Sequence, residues 1–223
     1  MTGAAVLVVA KAPMAGSAKT RLAATVGDRN AAELAAAALL DTIDVCAQTF
    51  ETCLLALTGD LRASARGDEI VAALERWNVF SQRGDTFAQR LVHAHVDAAK
   101  HCPGPVLQVG MDTPQMTTRQ LSALDAMLCG EQCDAVLGPA DDGGWWALGV
   151  TGHWLVEGLE AVTMSNSQTY SATLQLLRGK GATVGIGERL RDVDVAEDAD
   201  VVSERAPGLR FSAQWSLQRA AVR

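Results

Sequence analysis

Apolar runs of strand length alternate with helix-patterned segments along nearly the whole chain. Ala4–Ala10 is apolar throughout, as expected of a parallel strand covered on both faces. Cys53–Thr58, Pro105–Val109, Asp134–Leu137 and Thr183–Ile186 read the same way. Trp77–Ser81 and Trp145–Val150 predict two further short strands. Between them, Asp28–Gln48 predicts a helix, with Asp28 as its cap and six alanines in the eight residues 31–38. Arg62–Arg76 carries Ile70, Ala73, Leu74 and Trp77 at helical spacing. Thr86–His101, Thr117–Leu128, Gln168–Arg178 (ended by Gly179) and Ala196–Ser203 complete the helices, and the tail after Pro207 is weakly patterned. This alternation predicts an α/β fold with a doubly wound, mostly parallel sheet. No repeat, low-complexity tract or linker divides the chain, so residues 1–223 are expected to form one domain.

Composition narrows the classes. The 223 residues carry a net charge of −7, which disfavours a broad nucleic-acid or acidic-membrane footprint. No apolar run approaches the roughly 18–20 residues of a membrane span. The five cysteines form no dense disulfide framework, so reduced thiols in a cytoplasm are the expected state. Ala4–Ala10 is short and has no basic segment before it, so a signal peptide is not expected.

Ligands of open α/β sheets bind beyond the carboxyl ends of the strands, and four polar segments fall there. The first is the loop from Lys11 to Arg21, with three cations and Gly16. It lacks the glycine spacing of a Walker A or dinucleotide loop, and it reads either as a phosphate site or as a solvated basic loop. The second is Gly110-Met111-Asp112, where the carboxylate suits a hard divalent cation or simply caps the next element. The third is Asp141-Asp142-Gly143-Gly144, a ligand-approach loop or a hairpin turn. The fourth is Asp192-Val193-Asp194. Two other sets are weaker. His93, His95 and Asp97 lie in one helix without sharing a face, and Cys129 and Cys133 lack zinc spacing. Of the adjacent Trp145 and Trp146, one is expected in the core and the other in a pocket, because neighbouring strand residues point to opposite faces.

These segments resemble the rSAM/selenodomain-associated transferase family, of GT-A type. VLVVAKAPMAGSAKTRL resembles its opening motif, and VGMDTPQMT, DAVLGPADDGGWWALGV and RDVDVAEDADVV resemble three more, in family order over about residues 4–202. The chain departs from the family pattern at Ala15, Phe87-Ala88-Gln89, Met164-Ser165-Asn166 and Val195-Ala196. The resemblance implies the nucleotide-diphospho-sugar transferase fold, whose relatives include glycosyltransferases and nucleotidyltransferases such as 2-phospholactate guanylyltransferase. It implies that the loop with Lys11, Pro13, Gly16, Lys19, Thr20 and Arg21 wraps a nucleotide. It makes Asp112 and Asp194 ligands of Mg²⁺ or Mn²⁺, and it places an acceptor pocket at Asp142, Gly143, Gly144 and Trp145.

The expected function is therefore metal-dependent transfer from a nucleotide donor, leaning to nucleotidyl transfer from a nucleoside triphosphate onto a small anionic acceptor. Lys19, Arg21 and Asp142 would carry the chemistry. Glycosyl transfer from a nucleotide-sugar and a non-catalytic nucleotide-binding module stay open as alternatives.

Overall fold

The computed structural model describes residues 3–130 and 132–222. Seven strands form one sheet: β1 (Ala5–Lys11), β2 (Cys53–Thr58), β3 (Asn78–Ser81), β4 (Val106–Gly110), β5 (Ala135–Pro139), β6 (Trp145–Val150) and β7 (Val184–Ile186). Their order across the sheet is β3-β2-β1-β4-β6-β5-β7. All neighbours are parallel except β6, which runs antiparallel to both β4 and β5. β1 is buried up to its last residue, the exposed Lys11, with Ala5 through Val8 inaccessible to solvent, and this is why its sequence shows no polar alternation.

Helices cover both faces. The long α2 (Asp28–Thr49) and α5 (Thr118–Cys129) pack on one face, and α4 (Phe87–His101) and α6 (Thr169–Gly179) on the other. The alanines of α2 let it lie close to the sheet, with Ala35, Ala36, Leu39, Leu40 and Ile43 in the core. α4 and α5 each open on a capping box, Thr86 with Gln89 and Thr117 with Gln120.

Four expectations need correction. The first loop is not a loop throughout, because Thr20–Val26 forms a helix, α1, that buries Leu22 and Val26 against α2. Two buried residues four apart are enough for a helix of about two turns, yet too few to register as periodicity. Asp28 is the first residue of α2, and Gly27 is its cap. Arg62–Arg76 is not one helix: a 3-10 turn (Leu61–Ala63) precedes α3 (Gly67–Ala73). Gly179 is the last residue of α6, and the turn that follows takes its positive φ at Gly181.

The tail also differs. After α7 (Ala196–Arg205), residues Arg210–Val222 form α8, anchored by the buried Phe211 and Trp215. Its N-terminus is capped from a distance. The buried Asp41 carboxylate of α2 accepts the backbone N–H groups of Arg210 (3.1 Å) and Phe211 (2.9 Å), and Arg210 pairs with Asp41 and Asp44. Burial raises the Asp41 pKa, and these bonds oppose the rise. Such a cap, 169 residues away in sequence, leaves no local pattern.

Candidate active site

The carboxyl ends of β1 and β4 converge where the sheet order reverses, and two cavities open there side by side. One, of about 340 Å³, is walled by Lys11, Lys19, Arg90, Gln82 and the apolar edge of β1. The other, of about 330 Å³, is lined by Asp112, Asp142, Asp192 and Asp194, with Trp145 and Arg21. Asp112 and Phe87 line both and form the divide. Phe87 is the first residue of α4 and is 45% exposed, with the Arg90 guanidinium 5.8 Å from its ring centre.

Lys19 occupies the left-handed region, φ 45°, at the cap of α1. That geometry turns its side chain inward, where only 4% of it meets solvent. Its Nζ donates to Asp112 Oδ1 at 2.6 Å and to the carbonyl of Val193 at 2.7 Å. One residue beyond Thr20, Arg21 reaches Asp194 Oδ2 at 3.2 Å from a largely exposed position. Lys11 bridges its own loop, donating to the Ser17 carbonyl at 2.9 Å. The three cations therefore converge on the region that the sequence indicated, but all three are engaged with protein acceptors.

The segment from Arg191 to Asp194 is held by bonds from several directions. Val193 N–H donates to the Asp112 carbonyl (2.8 Å), and the Gln115 amide donates to the Arg191 carbonyl (2.6 Å). Arg191 pairs with Asp141 and Asp198, and Asp198 in turn accepts the N–H groups of Asp194 and Val195. The result is a rigid frame that presents Asp192 and Asp194 beside Asp112. Burial and the charges of Asp112, Asp142 and Asp194 push the Asp192 carboxyl up to about 8. Asp194 is also raised, chiefly by burial and then by Asp112, with Lys19 and Arg21 opposing.

The loop between β5 and β6 supplies Asp142, whose Oδ1 accepts the Gly144 N–H at 2.7 Å. Gly143 sits at φ +88°, and a β-carbon there would lie 2.3 Å from the Ser167 carbonyl oxygen, so only glycine fits. Trp145 faces the cavity, with its indole N–H donated to Thr173 at 3.2 Å. Trp146 is in the core, 2% exposed, as the strand alternation required.

Of the residues singled out in the sequence, Lys11, Lys19, Arg21, Asp112, Asp142, Gly144, Trp145 and Asp194 line the two cavities. Pro13, Gly16, Thr20 and Gly143 line neither and shape the adjoining turns. Phe87 and Gln82 line a cavity and had no expected site role, and Asp192, singled out only as part of the fourth acidic segment, lines one as well. Asp192 carries a signal, because alternation puts it on the same side as Asp194. His95 is buried on Gln108 and Asp97 pairs with Arg83 and Lys100, so neither belongs to the site.

Among the described residues no three His, Cys, Asp or Glu side chains form a ready-made metal cage. The donor set nonetheless fits a hard divalent ion. Asp112 and Asp194 offer carboxylate oxygens from separate segments, and magnesium sites commonly combine one or two carboxylates with substrate phosphates.

Comparison with known proteins bears on fold and family. Residues 40–166 match the family DUF2064, described as "Uncharacterized protein conserved in bacteria". The chain belongs to the DUF2064 family. The matched region of this DUF2064 chain contains Asp112 and Asp142, while the first loop and Asp194 lie outside it. No curated protein matches the chain. Among solved structures, one from Desulfovibrio desulfuricans G20, described as a candidate nucleotide-diphospho-sugar transferase, superposes with a TM-score of 0.84. It is 22% identical, covering 100% of this chain and 97% of the other. A cytidylyltransferase from Leptospira borgpetersenii gives 0.58 at 13% identity, covering 100% and 94%. Rv0371c of Mycobacterium tuberculosis, in complex with manganese, gives 0.53 at 17% identity, covering 90% and 98%. The DUF2064 chain thus has the nucleotide-diphospho-sugar transferase fold expected from its motifs.

Proposed function

We propose that this chain is a divalent-metal-dependent transferase that uses a nucleotide donor, with nucleotidyl transfer as the reaction. The observation that carries the reading is the pair of cavities joined at Asp112, one walled by cations and one by carboxylates. The cationic cavity suits a nucleotide, with Lys11 and Arg90 on its wall for phosphate and the Gln82 amide on the apolar side. Asp112 and Asp194 would hold Mg²⁺ or Mn²⁺, which supplies positive charge to the phosphates of a bound triphosphate. Lys19 holds Asp112 in place, and Arg21, paired with Asp194, would stabilise charge on the departing pyrophosphate. The acid-lined cavity takes the acceptor, with Asp142 on its wall. The fold's neighbours support the reading: one is described as a cytidylyltransferase, and another was solved with manganese. The resemblance to the rSAM/selenodomain-associated transferases points the same way.

Glycosyl transfer from a nucleotide-sugar is the second reading, favoured by the aromatic and acidic walls of the acceptor cavity. Thermal melts with nucleoside triphosphates and nucleotide-sugars, each with and without Mg²⁺ or Mn²⁺, test the donor class. A ligand that binds the native state raises the midpoint by mass action. Pyrophosphate release identifies nucleotidyl transfer, and nucleoside diphosphate release identifies glycosyl transfer. No midpoint shift with any nucleotide overturns both.

A further inference from the structure

The acid-lined cavity differs in chemistry from its neighbour. Among the described residues four carboxylates face it, against the single guanidinium of Arg21, which is already paired with Asp194. Asp192 makes no ion pair and no side-chain hydrogen bond among the described residues, and Asp142 meets only the N–H of Gly144 in its own turn. The rest of its lining combines the exposed ring of Phe87, Trp145 and Met164 with Gly144 and the hydroxyl-bearing Ser165 and Thr169.

We propose that this cavity takes a neutral acceptor bearing several hydroxyl groups, rather than the anionic acceptor expected from the sequence. The proposal rests on the nucleotidyl-transfer reading above. Among the described residues the oxygens of Asp142 and Asp192 have no side-chain partner beyond their own turn, and carboxyl oxygens accept hydrogen bonds, so they are complementary to hydroxyl donors. A metal ion on Asp112 and Asp194 would offset the charge of those two, but a phosphate or carboxylate on the acceptor would still meet Asp142, which pairs with no cation among the described residues. The rings of Phe87 and Trp145 match the C–H faces of a ring-shaped acceptor. Phe87, at the divide, keeps the two ligands in contact only beside Asp112.

In the reaction, one acceptor hydroxyl oxygen forms a bond to the α-phosphorus of the triphosphate. The bond from that phosphorus to the α–β bridging oxygen breaks, and pyrophosphate leaves with the electron pair. The hydroxyl proton passes to a carboxylate oxygen of Asp142.

The test follows pyrophosphate release from nucleoside triphosphates with Mg²⁺ across matched trios of acceptors: neutral hexoses, pentoses and cyclitols, their phosphate esters and their amino analogues. The expected result is turnover with a neutral member at least tenfold faster than with its ester or amine. Trp145→Leu should raise KM for that acceptor about tenfold, the scale of one lost aromatic contact, with KM for the nucleotide unchanged. A nucleotide-induced melting shift in the variant confirms that it folds. Preference for a phosphate ester or an amine, or no turnover of any neutral member while nucleotide still binds, overturns the proposal and leaves the donor reading standing. Absence of nucleotide binding to the unaltered chain would instead remove the donor reading itself.

Discussion

Replacing Asp112 by alanine should destabilise the protein more than replacing Lys19 by methionine, although Asp112 is the exposed member of the pair. The Lys19 side chain is 4% exposed and that of Asp112 is 52% exposed. Lys19→Met removes the ammonium together with its desolvation penalty and leaves a carboxylate that water can reach. The losses are one charged bond to the Val193 carbonyl and a screened ion pair, about 2 kcal/mol after allowance for solvent around Asp112. For a chain of this length that lowers Tm by about 4–8 °C. Asp112→Ala leaves the ammonium buried with only the Val193 carbonyl as partner, a situation that costs about 3–5 kcal/mol. Tm then falls by about 6–20 °C. The double variant should melt close to Lys19→Met, because removing the ammonium relieves what Asp112→Ala leaves behind. Melting of the three variants without nucleotide or metal is the assay. Equal losses in the two single variants, or additive losses in the double, would show that the Lys19 ammonium is solvated, and the inward strut would be wrong.

Gly143→Ala should cost at least about 2 kcal/mol, because a left-handed backbone is unfavourable for alanine and the β-carbon meets the Ser167 carbonyl; a melt checks it. The contribution of His95 to stability should fall by about 2 kcal/mol from pH 7 to pH 5, while the raised Asp192 carboxyl contributes in the opposite direction. Burial lowers the His95 pKa from 6.5 to about 4, so in that window the unfolded chain binds the extra proton and the histidine's contribution rises with pH. Denaturant melts of the wild type and of His95→Gln at the two pH values check this, because the difference between their slopes isolates the histidine. Arg21→Ala should weaken triphosphate binding by about tenfold and leave the bare nucleoside unaffected, with the wild-type affinity falling as salt rises; calorimetry reads both.

Much of the architecture was legible because buried parallel strands and an alanine-rich helix write themselves into local composition. Strand ends then located Asp112, Asp142 and the acidic segment near 192–194. What stayed hidden depends on long-range geometry. α1 rests on Leu22 and Val26 meeting a core built from α2, α7 and α8. α8 starts where Asp41 supplies a cap from another helix. The inward turn of Lys19 follows from one left-handed residue, and a basic loop in a sequence looks the same whether its ammonium points to solvent or to Asp112. Phe87 gained its position at the divide only through the packing of α4 beside β1.

The paired tryptophans also give the molecule an optical property. Trp145 and Trp146 share one strand, yet one indole borders the acid-lined cavity and the other is sealed against β5, above Gly138. A molecule entering that cavity changes the surroundings of the first fluorophore and not those of the second. Of the five tryptophans, Trp145 is therefore the internal reporter of that cavity. The difference between the emission of the native chain and that of Trp145→Phe isolates its signal without an attached dye.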